Sequence, residues 1–225
     1  MGALPVIRFL DSRNKELDKI PPEFISALTR DGWEIHEAVA GEFAMLWARW
    51  SEARFYSQAI QERGFKLEFV DEKLDLKLKL VMDWDSASLG GDRRIWLSAT
   101  TFQTAYFWRS ADESDRYSSR LIDVAIQLYN IVRPSFGWID FNHGLITNHE
   151  DIDQGRLPAL YWVNMFGPGL VKRLGNEWIK KAPGWKTISL SDGGLLYALS
   201  PGIGLTSQHL DTNRVKSYFN IERVR

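Results

Sequence analysis

Residues 157–202 read LPALYWVNMFGPGLVKRLGNEWIKKAPGWKTISLSDGGLLYALSPG, and the order of apolar runs and breaks in this stretch decides the fold. Ala159 to Phe166 is a dense apolar run of strand type. Gly167-Pro168-Gly169 interrupts it, and proline suits the first turn of a helix, where its missing N–H costs nothing. Leu170 to Lys181 is then predicted to be an amphipathic, basic helix. Trp185 to Leu190 and Leu195 to Leu199 flank Ser191-Asp192-Gly193-Gly194, residues that tolerate the positive φ of a tight hairpin turn. The whole reads as a compact β-α-β-β unit, and it contains no catalytic motif.

Working outward, Phe136 to Phe141 (FGWIDF) reads as a strand. It follows a helix predicted over Glu113 to Val132, in which Tyr117, Leu121, Val124, Ala125, Leu128, Ile131 and Val132 trace one apolar stripe. Ser110 and Glu113 have capping-box spacing, and Arg133-Pro134 stops the helix. The alternation in Phe65 to Trp84 is of period two. Leu74, Leu76, Leu78 and Leu80 share one face and Asp75, Lys77 and Lys79 the other, the pattern of a half-buried antiparallel strand, with a hairpin turn near Asp71-Glu72. Arg94 to Thr100 and Phe102 to Trp108 are further strand candidates.

Upstream, Val6 to Leu10 and Trp33 to Ala40 read as strands and Pro22 to Arg30 as a short helix. Glu42 to Arg63 is read as a helix ended by Gly64, although its first half, FAMLWARW, also fits a buried strand. Asp211 to Asn220 is predicted to be a last short helix. Strands in runs with interspersed helices give an α+β class, a mostly antiparallel sheet with helices packed on one side. We expect a single domain over 1–225, with a subdivision, if any, near 134.

Composition narrows the function classes. With 225 residues the chain can bury roughly 70% of its unfolded surface, so it needs no covalent staple. There is no cysteine, which excludes disulfides, thiolate nucleophiles and Cys-based zinc sites. Lys+Arg number 28 against 29 Asp+Glu, a net charge of -1 that supplies no global field for nucleic acid or an anionic membrane. The first residues lack the basic start and long apolar core of a signal peptide, and the apolar runs fall short of a membrane span. The expected address is the cytoplasm.

Four constellations could carry chemistry. His143 and His149 share a loop with Asp140, Glu150, Asp151 and Asp153, but the spacing matches no standard metal motif. Asp83 and Asp85 point the same way from a strand end, yet aspartate is common where a strand enters a turn. A metal-dependent hydrolase built on Asp83, Asp85, Asp140 and His143 is the enzymatic alternative. His36 and His209 have no assignable role. SLGGDRR and SDGG lack the phosphate-cradle spacings, there is no G-x-S-x-G, and Lys172 and Arg173 after the Gly-Pro-Gly break fit a simple helix entry. Arg8, Lys172, Arg173, Lys180, Lys181 and Lys186 with Trp178 and Trp185 could form a basic-aromatic surface for nucleic acid, but a solvated helix face accounts for them more simply.

The order Trp162, Asn164, Phe166, Gly167, Pro168, Val171, Leu174, Gly175, then Ala182-Pro183, then Asp192-Gly193-Gly194 between two strands, then Pro201, resembles bacterial toxin-immunity proteins. The match is to the TsiV-type immunity proteins of type VI secretion and related immunity families of polymorphic toxin systems, and it covers the C-terminal half. The resemblance implies a non-catalytic protein that binds and neutralises a cognate toxin, as in toxin–antitoxin pairs. It implies no cofactor; with the charge balance we expect no metal, no nucleic acid and no membrane, and the oligomeric state is left open. Aromatic residues near predicted loops, Trp84 and Trp108, are the candidates for partner contact. A structural subunit of a phage or secretion assembly is a third reading.

Overall fold

The computed structural model describes residues 5–12, 20–40, 43–47, 51–62, 64–73, 76–83, 96–101, 111–141, 152, 154–157, 159–203 and 211–220. Its strands are β1 (Pro5–Ser12), β2 (Glu34–Ala40), β3 (Phe43–Leu46), β4 (Gly64–Asp71), β5 (Leu76–Asp83), β6 (Trp96–Thr101), β7 (Pro134–Phe141), β8 (Val163–Phe166), β9 (Lys186–Ser189) and β10 (Leu195–Ala198). The helices are α1 (Ile20–Arg30), α2 (Glu52–Gln61), α3 (Ala111–Val132), α4 (Pro168–Leu174), α5 (Asn176–Lys180) and α6 (Thr212–Tyr218). The strands form a sheet in the order β3-β2-β4-β5-β6-β1-β7-β8-β10-β9. Every neighbouring pair is antiparallel, so the α+β class with an antiparallel sheet holds.

The period-two pattern places β4 and β5 as read. Phe65, Leu67 and Phe69 on β4 and Leu76, Leu78 and Leu80 on β5 are all buried in the main core. They meet Phe24 and Leu28 of α1, Phe55 and Ala59 of α2, and the stripe of α3. That stripe is the predicted one, with Leu121, Val124, Ala125, Leu128 and Val132 buried. Each such side chain taken from water stabilises the fold by about 1.5–3 kcal/mol before entropy is counted. Leu74 lies outside the described residues, as do Ser110, His209 and the candidate strand Phe102 to Trp108.

The sheet's two faces are treated differently along its width. From β2 to β5 the described helices lie on one side, as expected. From β7 to β10 both sides are covered. Ile139, Val163, Met165, Leu196 and Ala198 face the α3 side, whereas their strand neighbours Phe136, Trp138, Phe166, Leu195 and Tyr197 face a second core. Successive strand residues point to opposite faces, so α4, α5 and α6 with its cap, which supply Leu170, Val171, Ile179, Val215 and Phe219 to that second core, lie opposite α3. The expectation of helices on one side therefore describes the N-terminal half of the sheet alone.

Four boundaries differ from the sequence reading. Phe43–Leu46 is a strand paired with β2, not the start of a helix, and α2 begins only at Glu52, where the Ser51 hydroxyl accepts the Arg54 N–H at 3.3 Å. Aromatic spacing in FAMLWARW fits either state, and an available ladder partner decided between them. Gly64 opens β4 rather than capping α2; the Glu62 N–H closes that helix on Gln58. The single helix expected over Leu170 to Lys181 is two, because Gly175 at φ 93° leaves the right-handed region. The strand expected from Ala159 starts at Val163, because the Asn164 amide takes both backbone groups of Tyr161. Its Nδ2 donates to Tyr161 O at 2.8 Å, and its Oδ1 accepts Tyr161 N–H at 3.0 Å.

Candidate functional site

The residues that carry the family resemblance are structural. Trp162 is 2% exposed and donates its indole N–H to Ser200 O at 2.9 Å. Asn164 is fully buried with both ends of its amide bonded within the chain. Gly167 is required by close approach, since a Cβ there would lie 2.5 Å from Pro134 O on β7. Pro183 O accepts the hydroxyl of Tyr197, and burial, with a smaller contribution from Tyr218, raises that phenol above its ordinary range. These positions fix a scaffold and leave no reactive group exposed.

The Ser191–Gly194 turn is held the same way. Asp192 Oδ1 accepts the Gly194 N–H at 2.9 Å, and the Tyr129 hydroxyl of α3 reaches both carboxylate oxygens at 3.2 and 3.3 Å. Ser191 Oγ bonds Asn130 Oδ1 at 2.9 Å, a second tie to α3. Gly193 has φ 88°, and a side chain at Gly194 would strike Tyr129 and Phe166 O. The aspartate and both glycines thus anchor the last hairpin to the long helix.

Beside this turn lies an open groove of about 380 Å³, lined by Pro168, Val171, Lys172, Asn176, Ser189, Gly193, Gly194 and Leu195. Its floor is backbone and aliphatic carbon; its polar side chains are Lys172, Asn176 and Ser189. Ser189 belongs to β9, the last strand of the sheet, whose outer edge has no neighbour among the described strands. At the start of β9, Trp185 is 40% exposed and the Lys186 ammonium sits over its ring at 5.4 Å. Lys172 on α4, Lys180 and Lys181 at the end of α5 and Lys186 on β9 are exposed, and Glu177 pairs with Lys180 at 3.6 Å.

The basic-aromatic group named from sequence is thus partly assembled. Arg8 is excluded, because it lies on β1 near the sheet centre. Trp178 is excluded too, stacked on Tyr218 at 4.9 Å and edge-on to Phe219 at 5.0 Å in the second core. The uncovered face of β4 and β5 is also charged, but its signs alternate. Lys66 and Lys77 are exposed, Glu68 and Lys79 half-buried, and Lys77 reaches Glu68 at 3.9 Å. His36 stands exposed where the β2–β4 register shifts, the unpaired residue of a bulge.

The enzymatic constellation does not come together where it can be followed. Asp140 is opposite Val6, Val6 opposite Thr100, and Thr100 opposite Lys79, four residues from Asp83 on β5. Three strand spacings and four residues of rise separate the two aspartates by roughly 20 Å, too far to share a metal ion. Asp140 Oδ1 accepts the Phe141 N–H at 2.8 Å. Asp85, His143 and His149 lie outside the described residues, as do Glu150, Asp151 and Asp153 and the proposed contact residues Trp84 and Trp108. Among the described residues no group of three or more His, Asp or Glu is placed to hold a metal. Among them, too, no helix is long and apolar enough to cross a membrane.

A charged network lies elsewhere. Arg120 of α3 donates through Nε to Asp71 Oδ2 at 3.0 Å, through Nη2 to Asp31 O at 3.0 Å, and pairs with the Asp31 carboxylate. Its guanidinium also covers the Trp33 ring at 5.1 Å. It ties the end of α1, the end of β4 and α3 together, and both carboxylates are engaged by it, so we read it as a clamp. Nearby, Asp123 has its pKa raised by burial, with Arg120 opposing, Asp31 adding and Lys186 opposing.

No family model matches the chain, and no curated protein matches it in sequence. Among solved structures it is similar to the Pseudomonas aeruginosa T6SS protein PA0821, with a TM-score of 0.53 and 8% sequence identity over 96% of this chain and 72% of that one. At that identity the likeness is one of fold.

Proposed function

We propose that this chain is a non-catalytic immunity protein of a type VI secretion system, binding a cognate toxin in the cytoplasm and neutralising it by stoichiometric occupancy. The observation that carries this reading is the fold shared across nearly the whole chain with a T6SS protein. It is supported by the role of the Trp162–Pro201 residues, which build a rigid scaffold of the kind a binding protein needs and an enzyme would have to supplement. The distance between Asp83 and Asp140 weighs against the hydrolase alternative.

The test is co-expression with the product of the adjacent upstream gene. That product should arrest growth alone, and this chain should restore growth and co-purify with it in a fixed ratio. A neighbour that is harmless by itself removes the main support. A large, defined homo-oligomer in light scattering, with no bound neighbour, would instead indicate a structural subunit of the assembly.

A further inference from the structure

We infer that the free edge of β9, together with the groove beside Lys172, is a docking site for an extended acidic segment of a partner protein, added to the sheet as a further strand. The inference rests on the binding role proposed above and names where and by what chemistry binding occurs.

Three observations converge on this edge. The first is backbone geometry. Leu190 N–H bonds Gly194 O at 2.9 Å, and Ile188 lies opposite Leu196. In an antiparallel pair, hydrogen-bonded residues alternate with residues whose N–H and C=O point away. Thr187 and Ser189 therefore present their backbone groups outward, and each offers one donor and one acceptor to an incoming strand. Strand addition of this kind draws affinity from the main chain and specificity from flanking side chains.

The second is charge. Lys172 makes no ion pair among the described residues and stands exposed on the groove wall with Ser189. Thr187 and Ser189 share the face of Leu195 and Tyr197, toward α4, while Lys186 and Ile188 share the α3 face. Two described carboxylates lie close by and both are engaged: Asp192 by Tyr129 and Gly194, and Glu177 by the groove residue Asn176 at 3.4 Å and by Lys180 at 3.6 Å. A carboxylate on the groove side of the added strand would meet Lys172, whereas on the α3 side the Lys186 charge already acts on Asp123. The third is Trp185, exposed at the start of the strand, an aromatic anchor of the type that dominates binding energy. A lysine on a short edge also discourages indiscriminate pairing, so the acidic partner is the one this edge admits.

Amide spectra of the full chain, titrated with a synthetic peptide of alternating Glu and Thr and with its Lys-Thr counterpart, test the chemistry. The Glu-Thr peptide should shift the amides of Thr187 and Ser189, the Lys-Thr peptide should not, and Lys172→Glu should abolish the response. Equal effects of both peptides, or shifts that map elsewhere, would overturn the inference. With an inactivated upstream-gene product, amide exchange at Thr187 and Ser189 should slow on binding. There Lys172→Glu and Ser189→Pro should weaken the complex on the order of tenfold or more, with Lys172→Glu alone decisive if the proline variant unfolds. A tight complex that leaves those amides exchanging as in the free protein, with Lys172→Glu binding normally, overturns the edge site and leaves the immunity reading standing. Binding of the acidic peptide without binding of the neighbour supports the edge site and removes the immunity reading.

Discussion

The two ends of the sheet are built from the same antiparallel ladder but under different constraints. At the β2-β4-β5 end one face packs on α1, α2 and α3 and the other carries Lys66, Glu68, Lys77 and Lys79 toward solvent. At the β7-β8-β10 end both faces are buried, so nearly every side chain from Val163 to Phe166 and from Leu195 to Ala198 has fixed neighbours. A residue with neighbours on all sides has few acceptable replacements. The residues whose order resembles immunity proteins, from Trp162 to Pro201, all lie at the doubly covered end. A motif of Gly, Pro and aromatic residues here marks packing on two sides, and it says little about partner choice.

Breaking a residue at each end should expose that difference. The largest effect is expected from Trp162→Ala, which empties a site buried against both α3 and the β10 end and should cost about 4 kcal/mol. In a domain of this size thermal unfolding would then fall by on the order of 10 °C, and a loss below 3 °C would show the C-terminal half to be far more plastic than its packing. Arg120→Ala should come next, near 3 kcal/mol, because it leaves the buried Asp71 carboxylate without its guanidinium. Denaturant titration reads it, and Arg120→Lys should recover only part, since one ammonium cannot serve Asp31 and Asp71 together.

Asp123→Asn sharpens the comparison at the helix both ends share. The raised pKa means that the folded state holds the proton more tightly than the unfolded chain, so the group's contribution to stability is present at low pH and is lost as pH rises through the folded value. The asparagine variant should melt slightly higher than the parent at neutral pH and equally below the ordinary carboxylate range. A variant that melts lower at neutral pH would show Asp123 to be a net partner of Lys186. Smallest of all, Lys66→Ala on the uncovered face should move stability by less than about 0.5 kcal/mol. A loss of several times that would mean the face is covered.

Much of this architecture could be read from residues alone because local pattern and tertiary demand agree. The Leu76, Leu78, Leu80 alternation, the α3 stripe and the Ser191–Gly194 turn each had one structural solution. Phe43–Leu46 was misread because aromatic spacing does not distinguish a helix from a strand that has a ladder partner, and that partner, β2, is set by tertiary pairing. The break at Gly175 was carried by one glycine inside an otherwise amphipathic run. Of the candidate site, Lys172, Lys186 and Trp185 were visible as a basic-aromatic group, but not that they share one end of the sheet. That follows from β9 being the last strand, which only the topology shows. The partner candidates Trp84 and Trp108 rested on proximity to predicted loops, and they lie outside the described residues.

The position of β1 has a consequence for how the molecule is assembled. Its Ile7 is opposite Ala99 on β6 and Ile139 on β7, so this strand joins segments far from it in the chain and lies between the two ends of the sheet. Contacts of such long range must bear loop-closure entropy before they return any stability. During synthesis β1 precedes the other described strands and must wait for β7 before both its edges are paired. Until then β1 is the open edge of the sheet it forms with β6, and the strands that follow β7 have no ladder to join.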